Sequence, residues 1–192
     1  MYAVDHTLRG AQPGLLSTFG EWRDVVLRRR ARSVALAAVQ RCDEGERVRV
    51  VARVQADAQI HGALHGTPGV FRRLCFTIDG AAWVHERGVD FRLVDAGGQV
   101  LVCVGGGRLV APHDELIEYP AHCFDGLTVD LGGRRSLPAR ELVIKDGAFV
   151  EVVGHKATIA DPGGGSANYR ELAQVVALRS SREQPLLISL HG

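Results

Sequence analysis

Phe91-Arg92-Leu93-Val94-Asp95-Ala96-Gly97-Gly98-Gln99-Val100-Leu101-Val102 contains two alternating β-segments joined by a turn. Phe91 and Leu93 share one face, and Val100, Val102 and Val104 share a face on the return strand. A side-chain period of two puts alternate residues on the same side of a strand. Asp95-Ala96-Gly97-Gly98 supplies the turn, with glycines that take positive φ without a steric penalty. Leu101 and Cys103 make the second face apolar too, which predicts a strand covered on both sides. Downstream, Glu141-Leu142-Val143-Ile144-Lys145-Asp146-Gly147-Ala148-Phe149-Val150-Glu151-Val152-Val153-Gly154 reads as a strand entered through an Asp-Gly turn. Together the two segments predict a small β-barrel.

The same period recurs on either side. After Asp43-Glu44-Gly45, Val48, Val50, Ala52 and Val54 alternate with Arg49, Val51 and Arg53. Leu74-Cys75-Phe76-Thr77-Ile78 is a further β-rich run ended by Asp79-Gly80, and Trp83-Val84-His85 starts another. Residues 105–140 are the least regular, interrupted by Pro112, Pro120 and Pro138. Asp161-Pro162-Gly163-Gly164-Gly165-Ser166 reads as a flexible loop. Tyr169 to Leu178 fits a strand or a short helix, and Leu186 to Leu190 reads as a final strand. Gly45-x-x-Val48-x-Val50-Val51-Ala52 echoes Gly147-x-x-Val150-x-Val152-Val153-Gly154, as two strands with the same local task would.

Residues 1–18 read as an irregular lead-in, broken by Gly10, Pro13 and Gly14. A helix is expected over 19–40, clearest near 20–32. There Trp22, Val25 and Val26 fall at helical spacing, acidic Glu21 and Asp24 lie in the first turn, and arginines lie in the last. The barrel domain is expected over 41–192. The expected fold class is therefore mainly β: a small closed or partly open, OB-like barrel with an N-terminal α-helix packed on it.

Composition narrows the function classes. The chain has 192 residues, 46% hydrophobic and 23% charged, which suits one well-filled globular core. The net charge of +1 gives no global pull toward nucleic acid or anionic membrane, so any such binding needs a local patch. No apolar run approaches the roughly 18–20 residues of a membrane span. Met1-Tyr2-Ala3-Val4-Asp5-His6 lacks the basic start and apolar core of a secretory signal, so the expected location is cytoplasmic. Cys42, Cys75, Cys103 and Cys123 form no C-x-x-C pair and read as small core residues.

Order and spacing carry a resemblance. Its points are Val48-Arg49-Val50-Val51-Ala52-Arg53-Val54, Leu64-His65-Gly66-Thr67-Pro68-Gly69-Val70-Phe71, Phe91-x-Leu93-x-Asp95-x-x-Gly98-x-Val100-x-Val102, Glu141 through Gly154, and Pro185-Leu186-Leu187-Ile188-Ser189. Over residues 45–190 the chain resembles the GIDE-type (BAM) domain of mitochondrial membrane-anchored ubiquitin ligases and their bacterial relatives. The resemblance implies a β-rich, non-catalytic domain that recognises other proteins or sits beside a membrane. The zinc RING and transmembrane helices of the ligases have no counterpart here, so ubiquitin transfer is not implied.

Chemistry-bearing motifs are weak. His61-x-x-x-His65 could grip zinc on a helix, but it runs between Gly62 and Gly66 at a strand end. His122-Cys123 is adjacent, so extended backbone would splay the two side chains. There is no G-x-S-x-G elbow, and Cys75 and Cys103 lie in apolar strands where a thiol is inert. Gly105-Gly106-Gly107-Arg108 could present backbone N–H groups to an anion, but it lacks the Gly-Lys-Ser/Thr ending of a P-loop. No metal, cofactor or catalytic residue is expected. The candidate partner-binding residues are the arginines of two basic clusters: Arg28, Arg29, Arg30 and Arg32, and Arg72 with Arg73 beside Phe71 and Phe76.

The expected function is a non-enzymatic interaction or scaffold module with a protein partner, a subunit of a larger bacterial assembly. One alternative is an OB-like binder of single-stranded nucleic acid, using aromatic platforms flanked by basic residues. Another is an enzyme with a site built from distant loops. Peripheral contact with a membrane surface through the basic patch is a further possible partner mode.

Overall fold

Val48, Val50, Ala52 and Val54 are all buried, while Val51, Arg53 and Gln55 between them are exposed. That alternation makes Arg47–Gln55 a barrel stave with one face inward. The computed structural model describes residues 3–9, 26, 28–110, 115–127, 130–161 and 174–191.

Among these residues the strands are β1 (Ala3–Arg9), β2 (Arg32–Ser33), β3 (Arg47–Gln55), β4 (Ile60–His61), β5 (Pro68–Gly69), β6 (Phe71–Ile78), β7 (Ala81–Val89), β8 (Phe91–Asp95), β9 (Gly98–Val102), β10 (Arg108–Leu109), β11 (Ile117–Pro120), β12 (Ser136–Ile144), β13 (Phe149–Ala160), β14 (Gln174–Arg179) and β15 (Leu187–Leu190).

Five of them close on themselves in the order β3-β8-β9-β14-β13 and back to β3. All neighbours are antiparallel except β9 and β14. This is the small OB-like barrel the alternation predicts. Its interior is filled by Val48, Val50, Ala52, Val54, Phe91, Leu93, Val100, Val102, Val150, Val152 and Leu178. The two echoing segments prove to be neighbours: Val50 faces Val152 and Val48 faces Gly154 across the β3–β13 ladder. Both open from a glycine in the left-handed region, Gly45 and Gly147. The β8–β9 turn is tightened by the Gly97 N–H, which donates to Asp95 Oδ1 at 2.6 Å.

A second sheet, order β1-β7-β6-β12-β11, is not separated from the barrel in the sequence reading. Local pattern shows that Leu74–Ile78 and Trp83–His85 are strands. It does not show that they pair with each other and with β12 outside the barrel. Leu74, Phe76, Ile78, Phe124, Leu137 and Ala139 give this sheet its own core. Its inner ends reach the barrel: Val70, Phe71, Val89 and Ile144 are buried in the barrel's cluster.

Three expectations change. The lead-in is not irregular throughout, because Ala3–Arg9 pairs along its whole length with the edge of β7, a partner that local sequence cannot reveal. Residues 10–18 lie outside the described residues. The helix does not run to 40. Val26 and Arg28–Arg30 are helical, and then Arg32 and Ser33 pair with β3, with the Val34 N–H donating to Arg49 C=O. Leu36–Arg41 is a 3-10 helix, whose three-residue period puts both Leu36 and Val39 in the core. Residues 19–25 and 27 lie outside the described residues. Within 105–140 the described residues hold β10, β11, a 3-10 turn at Ala121–Phe124 and the start of β12, while 111–114 and 128–129 lie outside the described residues. Tyr169–Leu178 resolves to strand from Gln174, with 169–173 outside the described residues. Leu187–Leu190 is the expected last strand.

Candidate functional site

The six arginines singled out in the sequence do not form one surface. Adjacent strand residues point to opposite faces, so Arg72 and Arg73 on β6 part company. Arg72 is buried on the face that carries Leu74 and Phe76, 3.6 Å from Glu141 Oε1. Glu141 is itself buried, and its carboxylate accepts from the Ala63 N–H at 2.5 Å and the Leu64 N–H at 3.1 Å. Arg73 lies on the other face. It donates to the Leu109 carbonyl and sits 3.9 Å from Glu86, whose Oε1 accepts from the Leu109 N–H at 2.9 Å. Both arginines of this cluster are engaged within the chain: one locks the turn at 63–64, the other ties β10 to the second sheet.

The helical cluster lies over the barrel. Arg28 makes an ion pair with Glu151 on β13, and Arg32 pairs with Glu46 at 3.2 Å while staying 71% exposed. Arg29 and Arg30 are exposed. Glu151 is the register partner of Val51 on β3. The arginine-rich segment therefore comes over the outer face of the β3–β13 ladder.

That outer face carries residues the sequence reading passed over. Phe149 is 48% exposed and Val51 is 38% exposed, although both belong to apolar strand patterns. Arg53 is the register partner of Phe149, with its guanidinium 4.8 Å from the ring centroid. On its other side Arg53 faces Val94, whose own partner is Gln99. Arg49 lies one pleat further along β3, on the same side as Val51 and Arg53. Among the described residues neither Arg49 nor Arg53 has a carboxylate partner. The result is a small apolar centre edged by two cations without a carboxylate partner among the described residues. In the sequence, Arg49 and Arg53 stand at alternate positions of a β-strand, and Phe149 lies inside the 141–154 strand segment with no role assigned to it. Nothing local marks which face of β13 is covered.

Other motifs are absorbed by structure. Gly106 and Arg108 line a depression of about 240 Å³ with residues 180–185. There Ser180 Oγ accepts from the Leu186 N–H, Ser181 Oγ accepts from the Gln184 N–H, and Arg47 donates to Gln184 Oε1. Ser180, Ser181 and Gln184 thus hold the shape of the loop. Among the described residues no three His, Cys, Asp or Glu side chains gather as a metal site. All four cysteines are free thiols, and burial pushes Cys103 up to about 11, far from a reactive thiolate. No described helix is long and apolar enough to cross a membrane. The outward positions of β8 and β9 are Arg92, Val94, Gln99 and Leu101, with no aromatic among them. Arg92 is already paired with Asp57 and Asp161.

His155, beside Arg47 in the β3–β13 register, is held below its ordinary value by burial and then by the Arg47 charge; a hydrogen bond to the Arg179 backbone works weakly the other way. Below about pH 6.5 the unfolded chain takes a proton at this position and the folded chain resists it, so stability falls with falling pH. His155→Gln is expected to flatten that part of the slope. Denaturant midpoints measured from about pH 7 to pH 5 check this, and identical slopes for the two proteins would remove the assignment.

Comparison of the chain with protein-family models, with curated proteins and with solved structures returned no match in any of the three.

Proposed function

We propose that this chain is a non-enzymatic interaction module that binds an acidic protein segment on the outer face of β3 and the start of β13. One observation carries the reading: Phe149 and Val51 lie exposed beside Arg49 and Arg53, which have no carboxylate partner among the described residues. Aromatic and arginine side chains are the residue types that concentrate binding energy at protein interfaces. An incoming carboxylate meets cations already in place, and an apolar side chain beside it can settle on Val51 and Phe149. The GIDE-like motif order agrees with a recognition role. Single-stranded nucleic acid is the weaker reading, because stacking needs successive aromatic platforms and β8 and β9 present none outward.

A photo-crosslinking residue placed at Phe149 in the living source cell tests the proposal. A defined protein should be captured, and capture should be lost with Arg49→Glu/Arg53→Glu. Arg53 is exposed and Arg49 half-buried on the outer side of a paired strand, so stability should change by no more than about 1 kcal/mol. Phe149→Ala should weaken binding by about 2 kcal/mol, roughly thirtyfold. Capture that persists undiminished in the double variant, or captured nucleic acid in place of protein, would overturn the reading.

A further inference from the structure

A second patch mirrors the first. On the far strand of the second sheet, Ile117 is 62% exposed and Leu116 is 37% exposed, the former the most exposed of the large apolar side chains described. Glu115 and Glu118 flank them, both exposed, and neither has a basic partner among the described residues. Among the described residues strand β11 pairs only with β12, which leaves its other edge without a strand partner there. The Ala121 N–H donates to the Arg135 carbonyl, continuing the β11–β12 register. That parity turns the backbone groups of residues 117 and 119 toward β12 and those of Glu118 toward the open edge. An open edge with exposed apolar side chains is a contact site unless something covers it.

Four of the five large hydrophobics exposed among the described residues thus fall into two patches of opposite character. One is Val51 and Phe149 edged by Arg49 and Arg53. The other is Leu116 and Ile117 edged by Glu115 and Glu118. The first lies on the barrel and the second on the distal edge of the other sheet, so they are unlike surfaces on separate elements. We infer that the acidic segment recognised by the barrel face is β11 of a second copy of this chain. The inference rests on the interaction reading above and names its partner. Strand β3 is paired on both sides, so the contact is made through side chains and not by adding a strand. Joining two unlike surfaces leaves one of each free at the ends, which gives head-to-tail chains or rings in place of a closed two-fold dimer. A contact of so few residues a side lies below the size of stable interfaces, so assembly belongs to concentrations of about 10–100 μM or above.

Sedimentation of the purified protein tests this with two charge-reversed variants, Arg49→Glu/Arg53→Glu and Glu115→Arg/Glu118→Arg. At about 50 mM salt the wild-type mean mass should climb from the 20.7 kDa monomer through successive multiples as concentration rises, and at about 500 mM salt it should fall back. Each variant alone should remain monomeric, since its two patches then carry like charge. An equimolar mixture of the two should assemble again, because every contact in an alternating chain pairs opposite charges. Circular dichroism and melting checks that both variants are folded. A wild type that stays monomeric throughout overturns the inference, as does assembly indifferent to either reversal or a mixture that fails to reassemble. If self-association fails while the crosslinker at Phe149 still captures a different protein in an Arg49- and Arg53-dependent way, the interaction reading stands and only the identity of the partner falls.

Discussion

Glu141→Ala should cost the fold about 3–5 kcal/mol, because it removes the carboxylate beside the buried Arg72 and orphans two backbone donors at once. The carboxylate is buried beside Arg72 and accepts from the Ala63 and Leu64 N–H groups. Alanine offers no acceptor for these two donors. A buried pair contributes little net stability when intact, since desolvating both ions offsets their attraction; removing one partner exposes the full penalty of the other. Glu141→Gln keeps an acceptor for the turn and loses the charge, so its cost should fall between wild type and alanine, nearer about 2 kcal/mol. In a chain of this size the alanine variant should melt on the order of 10 °C lower. The turn at 62–65 should also lose protection in hydrogen exchange before the barrel does. A melting temperature within about 2 °C of wild type would mean that Arg72 finds adequate company elsewhere.

Phe71→Ala should be similarly severe, at about 3–5 kcal/mol. Phe71 belongs to β6 of the second sheet but is buried in the barrel's cluster, so its ring is an apolar tie between the two sheets, beside Val89 and Ile144. It lies against Gly88, its register partner on β7, where an added Cβ would come within 2.3 Å of the ring. Gly88→Ala alone should therefore cost about 1–3 kcal/mol by overpacking. With the ring gone, the same methyl occupies empty space. The double variant Phe71→Ala/Gly88→Ala should be more stable than the sum of the single effects requires, by about 1 kcal/mol or more. Denaturant melts of the four proteins close the cycle, and strict additivity would show that ring and glycine do not share that space.

The parts of this fold legible in the sequence are those set by neighbours along the chain. The 91–102 hairpin could be read because its turn chemistry and its alternation lie within twelve residues, and residues 45–54 and 147–154 could be read for the same reason. What could not be read is who pairs with whom. Leu74–Ile78 has the same alternation as a barrel stave, yet its partners place it in a separate sheet. Ala3–Arg9 becomes a strand only because β7 offers an edge. The site followed the same division. Arg72 and Arg73 looked like a basic surface because their carboxylates, Glu141 and Glu86, come from other strands. Arg28 looked solvated because Glu151 is distant in sequence. Phe149 went unmarked because its apolar character is visible in the sequence while its uncovered face is not.

Strand β13 binds β3 on one side and both β14 and β15 on the other. The first stave of the barrel thus waits for a partner that lies beyond the whole second sheet in the chain. During synthesis at roughly 5–20 residues per second, the intervening stretch of about 90 residues takes several seconds to emerge. The β6–β7 hairpin, closed by the short turn after Ile78, can form in that interval, whereas β3 must hold its valines without a roof. Birth order and architecture run in opposite directions here: only the β6–β7 hairpin of the second sheet is local and early, while β12, β13 and β14 emerge near the end, so the central barrel is the last thing to shut.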